Sequence, residues 1–114
     1  MEKTFEWVIT QMTCVKQEGD LQDVVILVNF FRNLNEIDND GKLWISQSLG
    51  DYKCPSPSAD DYTPYENLTK EQVIGWLEAG LDVESIDRYL EANILEQKNP
   101  PVIILPNPWD ESIL

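Results

Sequence analysis

The sequence predicts an α+β fold: an antiparallel β-meander of three strands or slightly more, then an α-helical hairpin, then an extended Pro-rich C-terminal arm. Three observations predict it. Residues 1–50 alternate in hydropathy with a period of two and are punctuated by turn residues; residues 69–98 switch to helical spacing; residues 99–114 set an apolar run among four prolines. Residues 1–98 are expected to form one compact domain, divided into the meander (1–50), an irregular crossover (51–65) and the helical hairpin (69–98), with the arm at 99–114. At 114 residues the chain can bury a core, though one small enough that oligomerisation would add stability.

In the first strand Phe5, Trp7 and Ile9 alternate with Thr4, Glu6, Val8 and Thr10, and the pattern continues through Met12 and Cys14 with a change of face. Lys16 to Asp20 (KQEGD) ends it with turn chemistry. The second strand, LQDVVILVNFFRNL, is rich in β-branched and aromatic residues, with Val24, Ile26, Val28 and Phe30 on one face and Val25, Leu27 and Phe31 on the other. Apolar residues on both faces predict a central strand, one face covered by the helices and the other by a partner. Asp38, Asn39, Asp40 and Gly41 supply the next turn, and in KLWISQSL Leu43, Ile45 and Leu49 oppose Trp44, Ser46 and Ser48.

The crossover DYKCPSPSADDYTPY has three prolines and no sustained period, with tyrosines to pin it down. Thr69 then precedes Gln72 by three residues, which predicts a capping box; Leu68 and Val73 stand at hydrophobic-staple positions, and Glu71 favours the positive end of the helix dipole. Gly80 is placed for a left-handed cap ending the helix near Ala79. Asp82 caps a second helix whose face is Val83, Ile86, Leu90 and Ile94, flanked by Tyr89. These stripes are core by default. Trp76 is large enough to be a subunit-interface anchor, but it and Trp44 are assigned to the body.

In the arm, NPPVIILPNPWDESIL, the prolines forbid a helix and favour an extended chain. Exposing Val102, Ile103, Ile104, Leu105 and Trp109 would be costly, so these are the candidate partner-binding residues, with strand addition to an exposed edge as one use.

Charge narrows the function classes. Eight Lys and Arg stand against 21 Asp and Glu, a formal −13, which repels a phosphate backbone. Residues 1–59 hold 9 acids and 5 bases, net −4, and residues 60–114 hold 12 acids and 3 bases, net −9. No nucleic-acid binding is expected, though an acidic half suits a basic partner cleft or nucleic-acid mimicry. No apolar run approaches the roughly 18 residues needed to cross a bilayer, and the start MEKTFEW does not read as a signal peptide, so no membrane association is expected and the Asn67-Leu68-Thr69 sequon carries no weight.

Catalytic, cofactor and metal sites are not expected. There is no histidine, nucleophile elbow, phosphate-binding glycine loop or dinucleotide fingerprint. Cys14 and Cys54 cannot make a zinc site by themselves and read as two thiols, with a disulfide possible only if the fold brings them together. Glu36, Asp38, Asp40 and Gly41 match the first half of a calcium loop, but Gln47 stands where its bidentate Glu belongs and strands flank it, so turn chemistry explains the acids.

TFEWVITQM near the start, DVVILVNF in the second strand, YTPYENLTKEQVIGWLE in the middle and NPPVIILPNPW near the end, in that order and spacing, resemble a family of small tailed-bacteriophage proteins over almost the whole chain. The middle motif is the specific part. FFRNLNEIDNDGKLW departs from the family pattern, in which a shorter hairpin is expected. The resemblance implies a virion component, made in the host cytoplasm and present in many copies or as a homo-oligomer, that binds other phage structural proteins of capsid or tail. It brings no catalytic residues. The leading expectation is a capsid decoration or cement protein that holds neighbouring subunits through its arm; a tail, neck or baseplate accessory subunit is the alternative. From another class, an acidic inhibitor or nucleic-acid mimic acting on a host protein would use the helical half.

Overall fold

The computed structural model describes residues 2–57 and 60–109. Three antiparallel strands, β1 (Glu2–Glu18), β2 (Leu21–Ile37) and β3 (Leu43–Lys53), pair in the order β1-β2-β3 and are followed by α1 (Lys70–Gly80) and α2 (Val83–Lys98). The strands are long. At about 3.3 Å per residue the 17 residues of β2 span about 55 Å, so the sheet is a ribbon with β2 at its centre. β3 runs on to Lys53, which shortens the irregular crossover, and its residues 58–59 lie outside the described ones.

Both turns follow their glycines. Gly19 (φ +60°) takes the first central position of the two-residue β1–β2 turn, the requirement of a type II′ hairpin. Between β2 and β3, the Gly41 N–H donates to the Asp38 carbonyl (3.0 Å), and Gly41 at φ +82° closes the turn into the bulge that a three-residue loop requires.

Two β-bulges set the faces of the sheet. Ile9 pairs with Phe30 and Gln11 with Asn29, leaving Thr10 as the extra residue, which keeps both Ile9 and Met12 on the helix side. This is the change of face that the sequence requires. At the second bulge Thr13 pairs with Leu27 and Cys14 with Val25, which leaves Ile26 unpaired with β1. The expected alternation of Val24, Ile26, Val28 and Phe30 against Val25, Leu27 and Phe31 is therefore broken: Val25 turns into the core and Ile26 is exposed.

The helices lie in tandem along one side of the sheet. α1 contributes Val73 and Leu77 to a core with Trp7, Val25, Val28 and Phe30, in which the Trp7 and Phe30 rings meet edge to face at 5.3 Å. α2 contributes Leu90 and Ile94 to a second core around Leu34, flanked by Phe5, Trp44 and Ile86. Fully buried side chains of this kind each stabilise by about 1.5–3 kcal/mol.

Thr69 caps α1 as expected, accepting from the Gln72 N–H at 3.2 Å. The reciprocal half of the capping box is absent, because the Gln72 amide donates instead to Thr63 Oγ1 (3.0 Å) and ties the crossover to the helix. Gly80 does not take the left-handed conformation expected of it. It is the last residue of α1, with Leu81 as an extended cap; a Cβ at Gly80 would fall 2.3 Å from the Tyr52 ring, so close approach to β3 accounts for the glycine. Asp82 caps α2 as expected, accepting from the Ser85 N–H at 3.1 Å. One tyrosine pins the crossover, since the Tyr62 hydroxyl donates to the Gln22 carbonyl; Tyr52 belongs to β3, where it packs on the first core, and Tyr65 is exposed.

Charged residues facing the helices complete the second core. On β2 the buried side alternates Arg32, Leu34 and Glu36. Arg32 makes a two-pronged contact with Asp87 of α2 (3.0 and 3.2 Å) and lies over the Trp7 ring at 4.5 Å. Glu36 accepts from Lys98 at the end of α2 and faces Lys3 at 3.8 Å. Ser46 of β3 donates to Asn93 Oδ1 (3.0 Å), so α2 is held to two strands by polar contacts around an apolar centre.

Removing one partner from the Arg32–Asp87 pair strands a poorly hydrated charge. Asp87→Ala is expected to lower the unfolding free energy by roughly 1–3 kcal/mol in urea denaturation. Two glycines give an opposed pair of outcomes. A Cβ at Gly50 would fall 2.8 Å from the buried Phe30 ring, so Gly50→Ala should destabilise by about 1–3 kcal/mol. Gly75 sits mid-helix in open space, and Gly75→Ala should stabilise by up to about 1 kcal/mol.

Candidate interaction surfaces

The far side of the sheet carries no helix. The register places its outward residues in rows across the three strands: Thr4–Asn35–Ile45, Glu6–Asn33–Gln47, Val8–Phe31–Leu49 and Gln11–Asn29–Asp51. Apolar and amide side chains dominate these rows, and Leu49 is 68% exposed. Asn33 Oδ1 is screened from water without a hydrogen-bond partner among the described residues. Of the apolar second face expected on β2, Phe31 lies here among Asn29, Asn33 and Asn35 while Val25 has turned into the core, and no helix among the described residues covers this face.

The predicted partner-binding residues lie at the other extreme of exposure. Residues 100–109 form no helix or strand, and Val102, Ile103, Ile104, Leu105 and Trp109 are all exposed, Ile104 completely. Prolines at 100, 101, 106 and 108 explain the absence of a helix. Residues 110–114 lie outside the described ones. Trp44 and Trp76, assigned to the body, are there: Trp44 packs on the second core and Trp76 on the first.

Trp76 also lines a cavity of about 300 Å³ at the Val24 end of the sheet, one that sequence reasoning missed. Its walls are mostly apolar, from Val24, Val25, Tyr52, Leu68 and Trp76, with Asp23 among the polar lining groups. No local pattern marks it, because its residues come from β2, β3, the crossover and α1.

Cys14 and Cys54 flank β2 on opposite sides near this cavity. Cys14 pairs with Val25, and the Cys54 N–H donates to the Ile26 carbonyl at 3.0 Å. Two strand spacings, about 9–10 Å, separate them, beyond the roughly 7 Å a disulfide tolerates. Both are free, and burial first, then Asp23 beside Cys14 and Cys14 beside Cys54, push both thiols up from their ordinary range. Each is held as the thiol, the unreactive form.

The acidic turn is committed to its own backbone. Asp38 accepts from the N–H groups of Asp40 and Lys42 and from Trp44 Nε1, all at 2.9 Å, and these bonds, Trp44 first, hold its carboxyl below the usual range. Glu36, the first residue of the calcium-like pattern, points instead to the helix side of the sheet and its lysines. Among the described residues no group of three or more His, Cys, Asp and Glu is placed to hold a metal ion, and no helix is long and apolar enough to cross a membrane.

A three-stranded meander with two tandem helices on one side, a bare second side and an exposed apolar C-terminal segment defines the architecture. The chain belongs to the family described as a domain of unknown function (DUF7936), whose model matches residues 2–109. No curated protein and no solved structure matches it.

The Asp38 and Asp82 carboxyls are both depressed in the folded state, Asp82 chiefly by its hydrogen bond with Ser85. A depressed carboxylate adds stability above its unfolded value, near 3.9, and loses it as the pH falls through the folded value. Urea denaturation should therefore show stability falling from about pH 4 downward, and Asp38→Ala should flatten part of that slope.

Proposed function

We propose that this protein is a structural subunit of a tailed-phage virion, a capsid decoration or cement protein whose body is the meander and its helices and whose arm holds a neighbouring subunit. The observation that carries the reading is the arm. Four consecutive large apolar residues and a tryptophan stand in solvent, 68–100% exposed, beside a body whose two cores bury Trp7, Phe30, Leu34, Leu77, Leu90 and Ile94. Exposure of this kind marks an interaction site in a soluble protein.

Three further features support it. The uncovered sheet face, with Ile45 and Leu49 exposed on it, offers area for a neighbour. The resemblance to phage virion proteins runs through the body and the arm alike. The helices place Glu71, Glu78, Glu84 and Glu96 on exposed positions, a surface suited to holding copies apart except where uncharged segments meet. A tail, neck or baseplate position uses the same chemistry and differs in copy number.

Mass spectrometry of purified particles should find this chain, at a copy number that follows capsid symmetry for a decoration protein and tail symmetry for an accessory. Deleting residues 100–114 should abolish incorporation while leaving the melting temperature of the body unchanged. A chain absent from particles that co-purifies with a host nucleic-acid enzyme would replace the virion role with the inhibitor role.

A further inference from the structure

We infer that Trp109 of one copy seats in the cavity beside α1 of a second copy, so that the chain associates head to tail. The inference rests on the arm being a gripping element and adds what it grips.

Arm and cavity lie at opposite ends of the body. α2 runs towards the Ile37/Leu43 end of the sheet, where Lys98 reaches Glu36 and lies over the Trp44 ring, and the arm departs from there. The cavity sits at the other end, by Val24 and Cys54. Ten strand residues from Trp44 to Cys54 cover about 33 Å. Ten arm residues in polyproline geometry cover about 31 Å, so its own cavity is at the limit of reach and demands a full reversal at Asn99. A second copy's cavity demands neither.

The chemistry matches. Residues 99–109 carry no charge in a chain of net −13, so up to Asp110 and Glu111 they are the stretch that meets least like-charge repulsion on approaching another copy. The cavity walls, Val24, Val25, Tyr52, Leu68 and Trp76, suit an aromatic ring, and the Asp23 carboxylate supplies an acceptor for the indole N–H, which a buried tryptophan requires. Four prolines hold the arm extended before it binds, which lowers the ordering cost of docking. An arm at one end and its receptor at the other make a heterologous contact, one that builds rings or rows.

Sedimentation velocity on the full chain tests this with two variants. Trp109→Ala removes the plug; Ala79→Phe narrows the cavity from an exposed position on α1, with circular dichroism to check that the fold is kept. Each alone should weaken self-association by about 30-fold or more, the effect of losing an aromatic anchor. Mixed in equal amounts they should form a 1:1 heterodimer that grows no further, since one copy keeps only its arm and the other only its cavity. If Ala79→Phe associates like the unmodified chain while Trp109→Ala does not, the arm grips elsewhere: this inference falls and the gripping role survives. If Trp109→Ala also associates normally, both fall. An unmodified chain that stays monomeric at its highest soluble concentration overturns the head-to-tail contact.

Discussion

The seating of α2 on the buried side of β2 is the interaction on which the rest depends. Leu34, Leu90 and Ile94 fill the contact, but three buried aliphatic residues do not fix a helix in register. Arg32 with Asp87, Glu36 with Lys98 and Ser46 with Asn93 do, because each polar group, withdrawn from water, is satisfied at one relative position of helix and sheet. That position sets where α2 ends, and hence where the C-terminal segment from Asn99 begins.

The same arrangement makes the sheet one-sided. Both helices occupy one face in tandem, α1 over the Trp7–Phe30 core and α2 over the Leu34 core, and nothing in the described chain covers the face of Phe31, Ile45 and Leu49. Between the two cores the central strand changes character from apolar to charged. A strand of 17 residues is longer than one short helix can cover, so two helices and two small cores serve where a shorter sheet would need one. The elongation this imposes also separates the arm from the cavity by most of the sheet.

Local chemistry made much of this legible. The glycine turns, the Thr69 and Asp82 caps, the stripe of Ile86, Leu90 and Ile94 and the change of face between Ile9 and Met12 all follow from neighbours within a few residues, and each is where sequence reasoning puts it. Three readings failed for a shared reason. Val25 and Ile26 exchanged faces because a bulge depends on the partner strand; the Gln72 amide left its capping box for Thr63; and Gly80 answers to the Tyr52 ring and needs no left-handed turn. Each is decided by a residue from another element.

The sequence by itself determined the α+β order, the turns, the helix starts and the apolar, uncharged nature of residues 99–109, since these depend on backbone preference and side-chain period. The tertiary structure alone decided which face of the sheet is bare, that Arg32, Glu36 and Asp87 lie at the helix–sheet contact, that β2 stands between Cys14 and Cys54, and that a cavity opens beside Trp76. The physical reason is the same throughout: these features exist only where distant segments meet, and neither the period nor the composition of any one segment encodes its neighbour.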